Sequence, residues 1–156
     1  MSSRLASGLA AAGLALSLAL PVHAEELKVE AVEVRLTARG PAVLLRVGNR
    51  AIPVMVDPIV ADSIQGALSG RKPVRPLTHD LMHNVLAGFD GRVTKVVVTL
   101  HDGIFYGALT VAVRGTSKVF DSRSSDAVAL AIHAGAPILV SRQLLDSAGI
   151  ELEAKK

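Results

Sequence analysis

The chain contains no cysteine, which excludes disulfide bonds, thiolate catalysis and zinc–thiolate sites. Aromatic residues are nearly as scarce. There is no tryptophan, and Phe89, Phe105, Tyr106 and Phe120 complete the set. A row of rings on which bases could stack, as in many single-strand nucleic-acid binders, is therefore excluded. Long apolar runs are also missing: the run over residues 9–20 falls short of the roughly 20 residues that span a bilayer, and no later segment qualifies. Neither sign of charge dominates. A net charge of +3 is too weak to indicate nucleic-acid binding by itself.

What is present begins with an export pattern. Arg4 and the amino terminus form a short positive region, residues 9–20 an apolar one, and Pro21 ends it. Val22-His23-Ala24 then offers small residues at the cleavage positions before Glu25-Glu26. This is the layout of a secretory signal peptide over residues 1–24. The mature chain, residues 25–156, is expected to be periplasmic or secreted, without a stable membrane span. It has the size of one domain, and its core must be built from Val, Leu, Ile and Ala.

Residues 27–37 alternate apolar and polar with one phase shift, which predicts a half-buried strand with a bulge or bend. Residues 42–47 and 51–56 predict two more strands around a Gly48-Asn49 turn. Asp57-Pro58 reads as an N-cap and first turn, followed by Ile59, Val60, Ile64, Ala67 and Leu68 at helical spacing. A basic, proline-bounded loop carries Arg71, Lys72 and Arg75. A second helix is expected from an N-cap at Thr78, with Leu81, Met82, Val85, Leu86 and Phe89 facing inward and Asp80 and Asn84 facing water.

Asp102-Gly103 between residues 93–100 and 104–113 is the strongest hairpin signal. A short strand at 118–121 leads to a helix over 125–134 that is apolar almost all round and therefore buried. A short strand at 137–140 and a last helix capped by Ser141 follow. Hairpins grouped around separated helices, without a regular strand–helix–strand repeat, predict a single α+β domain. Its sheet is largely antiparallel and packed with three to four helices.

Chemistry concentrates at two helix starts, Arg75-Pro76-Leu77-Thr78-His79-Asp80-Leu81 and Arg123-Ser124-Ser125-Asp126-Ala127-Val128. Free backbone N–H groups and the macrodipole attract anions there, and an adjacent carboxylate can hold a divalent cation. His79 and His83 echo a zinc-protease spacing, but the acid is Asp80 rather than glutamate and no third ligand is apparent. Asp126 shares a stripe with His133, and polar groups on so apolar a helix need partners. Capping and ion pairing explain the same residues without chemistry, and both accounts stay open at this level.

The first of those two blocks, then Asp102-Gly103-Ile104-Phe105-Tyr106, then Arg123 through Ala131, then Gly135-Ala136-Pro137-Ile138, resembles the bifunctional nuclease family over roughly residues 27–150. The resemblance implies an α+β domain that self-associates as a homo-oligomer, a dimer or higher, and is active on RNA and DNA. The matching positions are Arg75, Thr78, His79, Asp80, Asp102, Arg123, Ser125 and Asp126. Ser124 replaces the usual proline before Ser125-Asp126, Met55-Val56-Asp57 stands where an aromatic and a glycine are common, and His83 lies outside the family pattern. The expectation is an exported phosphodiesterase with little sequence preference. His79, Asp80 and Asp126 would be catalytic, with Asp80 and Asp126 holding Mg²⁺ or Mn²⁺. Arg75, Arg123, Thr78 and Ser125 would bind substrate. The alternative is a non-enzymatic, oligomeric envelope module in which the same groups only cap helices.

Overall fold

A computed structural model describes residues 25–152; the expected signal peptide, residues 1–24, lies outside them. Within the described residues, nine strands and four helices follow in the order β1 (Glu26–Lys28), β2 (Ala31–Thr37), β3 (Gly40–Val47), β4 (Arg50–Met55), α1 (Pro58–Ser69), α2 (Thr78–Gly88), β5 (Gly91–His101), β6 (Ile104–Val113), β7 (Thr116–Arg123), α3 (Ser124–Ala134), β8 (Ile138–Ser141), α4 (Arg142–Ala148) and β9 (Ile150–Glu151). The strands form two sheets, ordered β2-β3-β4-β9 and β1-β8-β5-β6-β7. Every pairing is antiparallel except β5 with β8. The α+β expectation is met, with two sheets in place of one.

The turns form where the sequence places them. Asp102 and Gly103 both adopt positive φ, 51° and 77°, which is the backbone that a two-residue turn needs to match strand twist. The expected single strand over 27–37 is instead two. Leu27 pairs with Val140 in one sheet and Val32 with Leu45 in the other, so the phase shift marks a change of sheet rather than a bulge.

Helix α3 lies at the centre. Ala127, Val128, Ala129, Leu130 and Ala131 are all buried and join Leu45, Ile52, Ile64, Val96, Val98 and Val140 in one core. Small residues dominate its inner face, so strands and helices approach closely on several sides. Strand β7 runs into α3 without a loop: Arg123 still pairs with Tyr106 in β6 and is already the helix N-cap. The direction of β7 therefore fixes the first turn of α3.

At the far end, Ser141 Oγ accepts the backbone N–H of Leu144 at 3.0 Å and caps α4 as expected. Replacing Ser141 with alanine is expected to lower the unfolding free energy by about 1 kcal/mol, measurable by urea titration.

Candidate functional site

Three helices bring their polar residues to one line. His79, at the start of α2, is buried. Its Nε2 meets Asp126 Oδ1 of α3 at 3.3 Å, and its Nδ1 meets Ser63 Oγ of α1 at 3.1 Å. Ser63 Oγ also meets Nε2 of His133, from the last turn of α3, at 3.0 Å. The two imidazoles stack 6.3 Å apart on either side of that hydroxyl. Beyond them, His133 Nδ1 faces Asp80 Oδ1 at 3.6 Å.

Both ends of this line are anchored. Asp80 Oδ2 accepts the backbone N–H of Leu77 at 3.0 Å, satisfying one of the free amides at the start of α2. Asp126 receives Arg123 twice, from Nε at 2.7 Å and Nη2 at 3.0 Å. Arg123 Nη1 in turn reaches Asp57 at 3.1 Å. Only the Arg123 end opens widely to solvent. The side chains of Arg123 and Asp57 are about two-thirds exposed and that of Asp126 is 30% exposed, against 8% for His79.

Several expectations change here. Thr78 is not the N-cap of α2 and sits at its first helical position; Leu77 is the cap, and the Asp80 carboxylate holds its N–H. Asp57 occupies the cap of α1 but makes no side-chain cap there, because its carboxylate is turned to Arg123. The inward face of α2 carries His79 and Leu86, while Leu81, Met82, Val85 and Phe89 are exposed. Asp80 therefore faces the protein rather than water. Ser125 is buried, whereas Thr78 and Arg75 are exposed. Arg71, from the basic loop, is paired with Asp62.

The expected cation does not fit this donor set. Asp80 and Asp126 stand at opposite ends of the line, with Ser63 and both imidazoles between them, so the two cannot share one ion. Among the described residues, no three His, Asp or Glu side chains are grouped so as to hold a metal ion.

Two pKa shifts follow from the geometry. Burial pushes the Asp126 carboxyl up, but the hydrogen bonds and charges of Arg123 and His79 outweigh it and leave it below its ordinary value. Burial lowers His133; Asp80 opposes this, while His79 and His83 add to it, and the net shift is downward. Both groups hold protons less tightly folded than unfolded. Their contribution is complete above the ordinary values and is lost as pH falls, first for His133 below 6.5 and then for Asp126 below 3.8. The thermal midpoint is expected to drop between about pH 7 and pH 5, with a shallower slope in His133→Gln; calorimetry across that range checks it.

A family model of the bifunctional nuclease domain matches residues 43–153, a span that contains every residue of the site. The chain belongs to the bifunctional nuclease family. It is also similar to two uncharacterised proteins of Mycobacterium tuberculosis, one from strain CDC 1551 and one from strain H37Rv. Each is 33% identical over 128 residues, covering 80% of this chain and 76% of the relative. The family match spans all three helices that supply the polar line. Ser63 was not singled out from the sequence, although Val60, Ser63, Ile64 and Ala67 recur at helical spacing and place a hydroxyl on an apolar stripe.

Proposed function

We propose that the protein is an exported nuclease that hydrolyses phosphodiester bonds of RNA and DNA with little sequence preference. Family membership supports the activity class. The observation that carries the residue assignment is the placement of Asp126, half-buried at the mouth of the site with Arg123 outside it and His79 behind it. Arg123, whose Nη atoms each carry a second N–H, neutralises the phosphate and offers donors to its oxygens. Asp126 accepts a proton from the attacking water. His79, shielded from solvent, stays behind the carboxylate, orients it and stabilises its charge. It acts through Asp126 and does not touch the substrate. Low aromatic content argues against base stacking and hence against strong sequence preference.

The signal-like pattern over residues 1–24 supports an activity outside the cytoplasm. The exposed apolar face of α2, with Leu81, Met82, Val85 and Phe89, supports assembly into a homo-oligomer, since such patches on soluble domains mark contact surfaces.

End-labelled RNA and single-stranded DNA incubated with the purified protein are expected to be cut by wild type, with a raised KM in Arg123→Ala. Binding of both nucleic acids without turnover would replace the nuclease reading with that of a binding module.

A further inference from the structure

The hydrogen atoms of the polar line can be counted. A carboxylate only accepts, so the contact at Asp126 requires His79 Nε2 to donate. A neutral His79 then presents a lone pair at Nδ1, and the Ser63 hydroxyl must donate to it at 3.1 Å. Ser63 Oγ in turn accepts from Nε2–H of His133 at 3.0 Å. His133 Nδ1 is left as a lone pair facing another carboxylate, and there the separation opens to 3.6 Å, outside hydrogen-bonding distance. Three hydrogens thus satisfy three bonds, and every donation runs from His133 toward Asp126. The opposite order would set a bare nitrogen of His79 against the Asp126 carboxylate at 3.3 Å.

We propose that Ser63 and His133 are positioning residues: Asp126 selects the Nε2–H tautomer of His79, and the Ser63 hydroxyl, itself held by His133, engages Nδ1 and keeps the ring turned so that one Asp126 oxygen is bonded from behind. Each is placed for that task. Ser63 is buried and its hydroxyl lies between the two rings. His133 sits in the last turn of the helix that begins with Asp126, so α3 closes the line at both ends. The His133 end opens to a crevice of about 10 Å³ lined by Asp62, Ser63, Arg71, Leu77 and Asp80. It has room for about one water, too little to admit a substrate. A neighbour that fixes the proton position on an imidazole is a recurring requirement in histidine chemistry. The catalytic consequence rests on the nuclease reading; the tautomer itself does not.

The test is long-range ¹H–¹⁵N correlation on the labelled, purified protein in mildly alkaline buffer, which reads each imidazole tautomer directly. Both His79 and His133 are expected as Nε2–H. Ser63→Ala removes the donor to Nδ1, so the His79 Nδ1 resonance should move to the ¹⁵N frequency of an unbonded imidazole lone pair, while Ser63→Thr, which keeps the hydroxyl, should restore the wild-type frequency. His133→Gln retains a donor toward Ser63 and should leave the His79 Nδ1 frequency intact; His133→Phe should not. On nucleic acid, Ser63→Ala is expected to lower kcat roughly ten- to hundredfold with KM unchanged. A wild-type His79 or His133 carrying its proton on Nδ1, or a His79 Nδ1 frequency indifferent to Ser63→Ala, overturns the positioning. If Ser63→Ala does not fold, the wild-type spectrum and His133→Gln decide. Absence of any cleavage by wild type would sink the nuclease reading and leave the tautomer result standing or falling by itself.

Discussion

Asp126→Asn is expected to lower kcat on RNA and single-stranded DNA by about 10²–10⁴-fold, the range typical for loss of a general base. The substitution keeps shape and volume but removes the charge that accepts the proton. It also turns one acceptor into an N–H donor beside Arg123 or His79, both of which themselves donate. Folding should suffer far less, because the ion pair with Arg123 lies at the surface, where such pairs are worth about 1 kcal/mol or less. Steady-state kinetics and thermal melts on the same preparation separate the two effects. An Asp126→Asn variant as active as wild type would remove this residue from the chemistry.

Gly107→Ala is expected to destabilise the fold by about 1–3 kcal/mol, the usual cost of overpacking a tight interior. A methyl group at this position would stand 2.5 Å from Cβ of Ala127 and 3.2 Å from the carbonyl oxygen of Arg123. Neither obstacle is a flexible chain end: one belongs to the first turn of α3, the other to the backbone that caps it. Strand β6 comes this close to α3 only because both positions are small. The helix must move outward to accept the methyl, carrying Asp126 and Arg123 with it. Chemical denaturation should therefore show a lower midpoint, and activity at temperatures where the variant is still folded should fall as well. A variant with unchanged midpoint would mean that the two elements are more loosely packed than a 2.5 Å approach to Ala127 Cβ implies.

The sequence made the hairpins, the four helices and their polar starts legible, because turn residues and helical spacing are local signals. Sheet membership was not. Nothing in residues 27–37 says that Leu27 belongs beside Val140 and Val32 beside Leu45, since pairing partners lie far away in the chain. Helix α2 turns the opposite face inward from the one its periodicity predicts, for a related reason. Its larger apolar stripe suggested the buried face, yet α2 turns His79 inward to meet Ser63 and Asp126, leaving the stripe exposed. Polar complementarity across helices overrode hydrophobic periodicity. His79, Arg123 and Asp126 stand out at the two helix starts in the sequence and meet in the structure. Asp80 joins them only through His133 and Ser63, and Ser63 gave a single quiet signal, a hydroxyl on an otherwise apolar stripe.

Two late strands set the order in which the molecule can mature. Strand β8 fills the gap between β1 and β5, and β9 adds to the edge of β4, so Glu26 waits for Ser141 and Arg50 for Glu151. A chain growing on the ribosome cannot complete the two sheets until β8 and β9 have emerged. Such distant pairings make folding slow relative to local helix formation, so sheet closure rather than helix formation sets the pace.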